Sequence, residues 1–202
     1  MANEKETRER LIACAKSEFL QKGFLKASLR KICADAGVTT GALYFFFQDK
    51  EDLFGAIVEK PLGELMELIH KHLAEDEHTI NKPYEHDEGD HDEFVELIVP
   101  HVYRYYDEFL LLITKSQGTK YENCVDELID EVEHFFLGLM EQMKVHYGGK
   151  VNKKMLHWLV HMITDAFIHM ITHERDEKKA MAHIKKVMEF AMTGWNAAVF
   201  DK

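Results

Sequence analysis

Proline is scarce: Pro61, Pro83 and Pro100 are the three in 202 residues. Long helical periodicities therefore run almost uninterrupted, and the expected fold class is all-α. Cysteine is equally sparse, with Cys14, Cys33 and Cys124 isolated and no CxxC spacing. An odd number of scattered thiols excludes a disulfide framework and fits reduced cysteines in the cytoplasm. No stretch approaches the ~20 consecutive apolar residues of a membrane span, and the first twenty residues are charged, so neither a membrane partner nor a signal peptide is expected. Nucleophile elbow, glycine-rich phosphate loop and HExxH are all missing, which argues against an enzyme and calls for no cofactor. An enzyme reading would have to rest on His161 and Asp165 as a base and its orienter.

The net charge of −11 argues at first against a polyanionic partner. Its distribution reverses that argument. Residues 1–50 hold nine Lys or Arg against six Asp or Glu, a charge of +3, which leaves −14 for the remaining 152. A basic head on an acidic body suits a nucleic-acid reader carrying a separate sensing domain. Lys22, Lys26, Arg30, Lys31 and Lys50 are the candidate phosphate-facing charges.

The most informative stretch is Ser28–Phe54, SLRKICADAGVTTGALYFFFQDKEDLF. Ser28 can cap a short helix whose apolar face is Leu29, Ile32, Cys33 and Ala36, and Gly37 can supply the turn that ends it. Thr39 then caps a second helix, with Leu43 and Phe47 facing the first and Gly41 and Ala42 leaving a bare surface. Two short helices joined by so tight a turn predict a helix-turn-helix, whose second helix enters the DNA major groove.

On Val38, Gly41, Leu43, Tyr44, Phe47, Lys50, Glu51 and Leu53, with Phe19, Gly23 and Ser28 upstream, this stretch resembles the DNA-binding signature of the TetR family of bacterial transcriptional regulators. The resemblance covers about the first quarter of the chain. It implies a three-helix DNA-binding domain over 1–48 and a helical ligand-binding and dimerisation domain over 49–202, about nine helices in all. Within the larger domain it implies a connecting helix at 49–74 and dimerisation helices at 152–200. Ser28, Arg30, Thr39, Thr40, Gly41, Ala42, Tyr44, Phe45 and Lys50 are the expected DNA-binding residues. Thr39, Thr40 and Ala42 would meet base edges, while Tyr44 and Lys50 would hold phosphates. Thr40, Phe45 and Phe46 depart from the family's common basic residue, tyrosine and histidine. The implied partners are a double-stranded DNA operator, a small-molecule effector and a second copy of the chain, and the implied function is a ligand-released repressor.

The remaining sequence reads as long amphipathic helices. A helix from Asp49 to about Ala74 carries Pro61, which predicts a kink or break near Lys60. Glu75–Glu93, with nine acids, one lysine and three histidines (His78, His86 and His91), reads as a loop. Two helices are expected around Pro100, ending at Ser116-Gln117-Gly118, and a further helix from about Tyr121 is expected to end at Gly148-Gly149. By residue type, Tyr103, Tyr106, Phe109, Phe135, Trp158, His161 and Met162 are candidate lining for an effector site, although each also fits plain core. Steps of four connect His157, His161, Asp165, His169 and His173, and the first three are the metal-ligand candidates of an alternative, metal-responsive reading.

Overall fold

A computed structural model describes residues 2–79, 90–147 and 150–201. The chain forms α1 (Ala2–Lys26), α2 (Leu29–Asp35), α3 (Thr40–Phe46), α4 (Lys50–Thr79), α5 (Asp90–Arg104), α6 (Tyr106–Lys115), α7 (Cys124–Tyr147), β1 (Lys150–Val151), α8 (Lys153–His173), α9 (Glu177–Val199) and β2 (Phe200–Asp201). The all-α expectation holds, with one small addition. β1 and β2 pair antiparallel, Lys150 opposite Asp201 and Val151 opposite Phe200, and the Asn152 amide donates to Val199 O at 2.7 Å. This clasp joins the end of α9 to the start of α8.

The chain divides into two compact units, residues 1–64 with 105–124, and residues 65–104 with 125–202. In the first, α1, α2, α3, the first half of α4 and α6 surround an aromatic core. Phe54 is fully buried, and its ring centroid lies 5.2 Å from that of Phe19, 5.6 Å from Phe24 and 5.9 Å from Tyr121. Leu11, Ala15, Ile32, Leu43 and Leu53 are each at 0% exposure around it. In the second unit, Ile129, Met140, Met143, Leu156, Leu159, Val160, Trp195 and Val199 form one apolar cluster between α7, α8 and α9. Across α5 and α9, Lys185 bridges Asp92 at 3.1 Å and Glu96 at 2.5 Å.

α4 continues through Pro61 with no break near Lys60, and α5 continues through Pro100. The helix boundary expected at Pro100 falls instead at Tyr105, whose φ of −115° and ψ of 37° are not helical. Proline removes one backbone hydrogen bond, whereas the stripe Ile57, Val58, Leu65, Ile69 and Leu73 buries five apolar side chains on α4, each contributing roughly 1.5–3 kcal/mol. Burial therefore outweighs the lost bond. The expected acidic loop is also shorter: Glu75–Thr79 belong to α4 and Asp90–Glu93 to α5. The side chains of His78, His86 and His91 and the Gly148-Gly149 pair lie outside the described residues. Gly23 does end the regular part of α1, with φ of 72° and ψ of 164°.

Truncation at the centre of the first core should be costly. Phe54→Ala is expected to destabilise the protein by about 3–5 kcal/mol. Denaturant titration followed by circular dichroism measures this, and a loss under about 1 kcal/mol would show that the aromatic cluster is not the centre of that core.

Candidate nucleic-acid interface

The turn between α2 and α3 is built by local bonds. Ser28 Oγ accepts from the Lys31 amide, capping α2, while the Ser28 amide itself donates to Glu18 Oε1 at 3.2 Å. Gly37, at φ of 66°, carries the chain through a left-handed position open to glycine, and the Val38 amide returns to Cys33 O at 2.9 Å. Thr39 Oγ1 accepts from the Ala42 amide at 3.2 Å and caps α3. Both cap assignments read from sequence are therefore present in the structure.

Packing then decides which face of α3 is free. Leu43 is fully buried and Phe47 is 2% exposed, whereas Tyr44 is 54% and Phe45 is 73% exposed. Thr39, Thr40 and Gly41 share exposed positions with them, and Ala42 is half-buried. Ser28, Arg30 and Lys31 are exposed on α2. Lys31 is partly neutralised by Asp35, whose carboxylate lies 2.6 Å from its ammonium and holds the Lys31 pKa above its usual value. Burial pushes the Cys33 thiol up, against a hydrogen bond with the Thr40 side chain that lowers it.

Lys50 departs from its expected phosphate contact. Its ammonium turns inward and donates to Phe24 O at 2.7 Å and to Leu25 O and Ala27 O at 3.4 Å, with the Phe24 ring centroid 4.5 Å away. Burial lowers its pKa. The reason is tertiary: carbonyls at the end of α1 keep spare acceptor capacity, and the first residue of α4 is within reach of them. As placed, this ammonium closes the joint between α1 and α2.

Sequence reading also missed Glu18 and a polar cluster behind the motif. Glu18 is only 7% exposed and lies on the stripe of α1 set by Leu11 and Ala15, a pattern that could have marked it as an internal acceptor. In the cluster, the Tyr121 hydroxyl donates to Glu59, Lys120 Nζ approaches the same carboxylate at 3.0 Å, and the Lys120 amide donates to Glu51 Oε1 at 2.6 Å. Glycine is required opposite: a Cβ on Gly55 would lie 2.7 Å from the Tyr121 hydroxyl. Hydrogen bonds from Tyr121 and then Lys120 hold the Glu59 carboxyl below its usual range. Burial, with Glu59 adding to it, pushes Tyr121 up to about 12.

With this geometry in hand, comparison with known proteins is direct. Residues 11–57 match the model of the family described as bacterial regulatory proteins, tetR family. The first quarter of the chain therefore carries the sequence pattern of that family. Over 64 residues the chain is 42% identical to the HTH-type transcriptional repressor BepR of Brucella suis biovar 1, covering 30% of this chain and 31% of that one. The match thus spans less than a third of the length of that curated relative. Among solved structures, a TetR-like transcriptional regulator from Rhodococcus sp. RHA1 superposes with a TM-score of 0.62 at 15% identity, covering 93% of this chain and 96% of the other. NalD, the secondary repressor of the MexAB-OprM multidrug efflux pump in Pseudomonas aeruginosa, gives 0.58 at 19% identity, with 95% and 98% covered. At such identities these two show that the TetR fold extends over nearly the whole chain.

The candidate effector residues fall in both units. Tyr106 and Phe109 belong to the first unit, where Phe109 is buried core, and the other five belong to the second. Tyr103 donates to Glu174 O at 2.7 Å, Met162 and Phe135 are half-buried on α8 and α7, and Trp158 is 56% exposed rather than enclosed. A cleft of about 300 Å³ in the first unit, lined by Ile12, Ala13, Ile57, Pro61 and Tyr105 with Glu9, Lys16, Ala56, Lys60 and Glu108, contains none of the seven. His157 pairs with Glu133 at 2.6 Å and its ring lies 4.4 Å from that of half-buried His161, while Asp165 is exposed. Among the described residues no group of three His, Cys, Asp or Glu side chains is placed to hold a metal ion.

The polar cluster gives TetR-fold stability a defined pH response here. A depressed Glu59 pKa adds stability above its unfolded value of 4.5 that is lost as pH falls through the folded value. A raised Tyr121 pKa adds stability below 10.0 that is lost as pH rises towards about 12. Urea midpoints measured against pH should decline at both ends, and Tyr121→Phe should remove the alkaline decline. An alkaline limb unchanged in Tyr121→Phe would assign it to another group.

Proposed function

We propose that the chain is a sequence-specific DNA-binding transcriptional regulator, a repressor that a small-molecule ligand releases from its operator. The observation that carries this reading is the outward face of α3, where Tyr44 and Phe45 stand exposed directly above fully buried Leu43. The name of its relative BepR, a transcriptional repressor, supports it. Residues 1–48 are assigned to DNA binding and 49–202 to effector binding and dimerisation, with 49–74 as the connecting helix and 152–200 as the dimer helices.

A homodimer is part of the proposal. One helix-turn-helix reads few base pairs, whereas a two-fold pair reads half-sites about 34 Å or a multiple apart. Exposed Trp158 on α8, exposed Phe190 on α9 and the open surface at Gly194 are consistent with a partner covering this pair of helices. Release then needs a ligand with higher affinity for the arrangement of heads that mismatches successive major grooves. Thr39 and Thr40 are assigned to base edges, and Arg30, Ser28 and Tyr44 to the backbone.

Tyr44 supplies the test. Its hydroxyl has no hydrogen-bond partner among the described residues and is free for a phosphate oxygen. Tyr44→Phe should weaken binding to DNA from upstream of the protein's own gene by about 1 kcal/mol, roughly five-fold, with unchanged sequence preference. A Tyr44→Phe protein with altered preference and undiminished affinity would overturn the assignment of Tyr44 to the backbone.

A further inference from the structure

Phe45 has the most exposed large apolar side chain described in the first unit, at 73%. It does not dangle. Its ring meets that of Phe46 edge-on at 5.0 Å, and Phe46 in turn stands 6.5 Å from buried Phe47, so the aromatic row ties the exposed ring to the core. One turn earlier, Gly41 carries no side chain, and a Cβ built there would meet only Thr39 Oγ1, at 3.8 Å. Gly41 therefore leaves open space on the face of α3 that also carries exposed Phe45.

Polar groups nearby are few. Thr39 Oγ1 caps α3, and Gly41 and Ala42 offer only hydrogen and methyl. The face therefore presents mostly apolar atoms to whatever covers it. Resting on the DNA-reading function proposed above, we infer that Phe45 is a specificity residue that packs on the C5-methyl group of one thymine in each half-site. That methyl is the apolar feature of the major groove, and it marks A·T pairs independently of any hydrogen bond from Thr39 or Thr40. DNA is favoured over a protein partner because the patch sits on the +3 head of an otherwise acidic chain, beside exposed Arg30 and Tyr44.

The experiment replaces thymine with deoxyuracil, which deletes the methyl and keeps base pairing. A duplex selected by the full-length protein from a random pool is resynthesised with each thymine changed singly, and affinities are measured for the unaltered protein and for Phe45→Ala. The unaltered protein should lose about four-fold at one thymine per half-site, the value of one buried methyl-sized contact. Phe45→Ala should bind the thymine duplex more weakly and show no further loss at that position. Uracil tolerated everywhere, or an equal loss persisting in Phe45→Ala, would overturn the inference while leaving DNA binding intact. Failure to select any duplex in a salt-sensitive, Tyr44-dependent way would remove the DNA-reading function itself, and the thymine contact with it. Circular dichroism and a urea midpoint matched to the unaltered protein confirm that Phe45→Ala, a change at an exposed position, still folds.

Discussion

The ammonium of Lys50 on the carbonyls of Phe24, Leu25 and Ala27 is the joint on which the DNA-reading head depends. Where α1 ends and α2 begins, backbone carbonyls keep spare acceptor capacity, and a half-buried cation bonds three of them together. Glu18 does the same for a donor, the Ser28 amide, from the other side of that junction. Between them, the two charges fix where α2 starts, and α2 fixes α3 through a turn only a few residues long. The exposed face of α3 is thus set by polar bonds outside the motif as well as by Leu43 and Phe47 within it.

Behind that joint the first unit extends beyond three helices. α6 packs along α1, with Lys16 and Glu108 paired at 3.0 Å, and the segment after α6 lies against α4 through Tyr121, Gly55 and Glu59. Residues far apart in sequence therefore share one core with the head. The second unit solves a different problem, closing α7, α8 and α9 on an apolar cluster and clasping its last residues with β1 and β2.

The sequence was legible where structure is local. Ser28 and Thr39 announce caps because a hydroxyl reaches an amide three residues on, Gly37 announces a turn because side chains resist positive φ, and the spacing of Leu43 and Phe47 orients α3. Pro61 and Pro100 end no helix, because burial along α4 and α5 overrides one missing hydrogen bond. The inward bonds of Lys50 were not legible for the opposite reason: their acceptors are 23 to 26 residues away, and nothing in KEDLF says that the lysine folds back. The effector residues were chosen by type, and type carries no information on which unit a side chain joins.

The decisive measurement separates the two roles open to Lys50. Lys50→Met keeps an apolar stem and removes the charge, and its effects on stability and on the salt dependence of DNA binding are read together. The account predicts a lower urea midpoint, by about 1–3 kcal/mol of unsatisfied carbonyls, with the slope of log affinity against log salt unchanged. A slope reduced by about one phosphate contact, in a protein of undiminished stability, would contradict it and return Lys50 to the DNA surface.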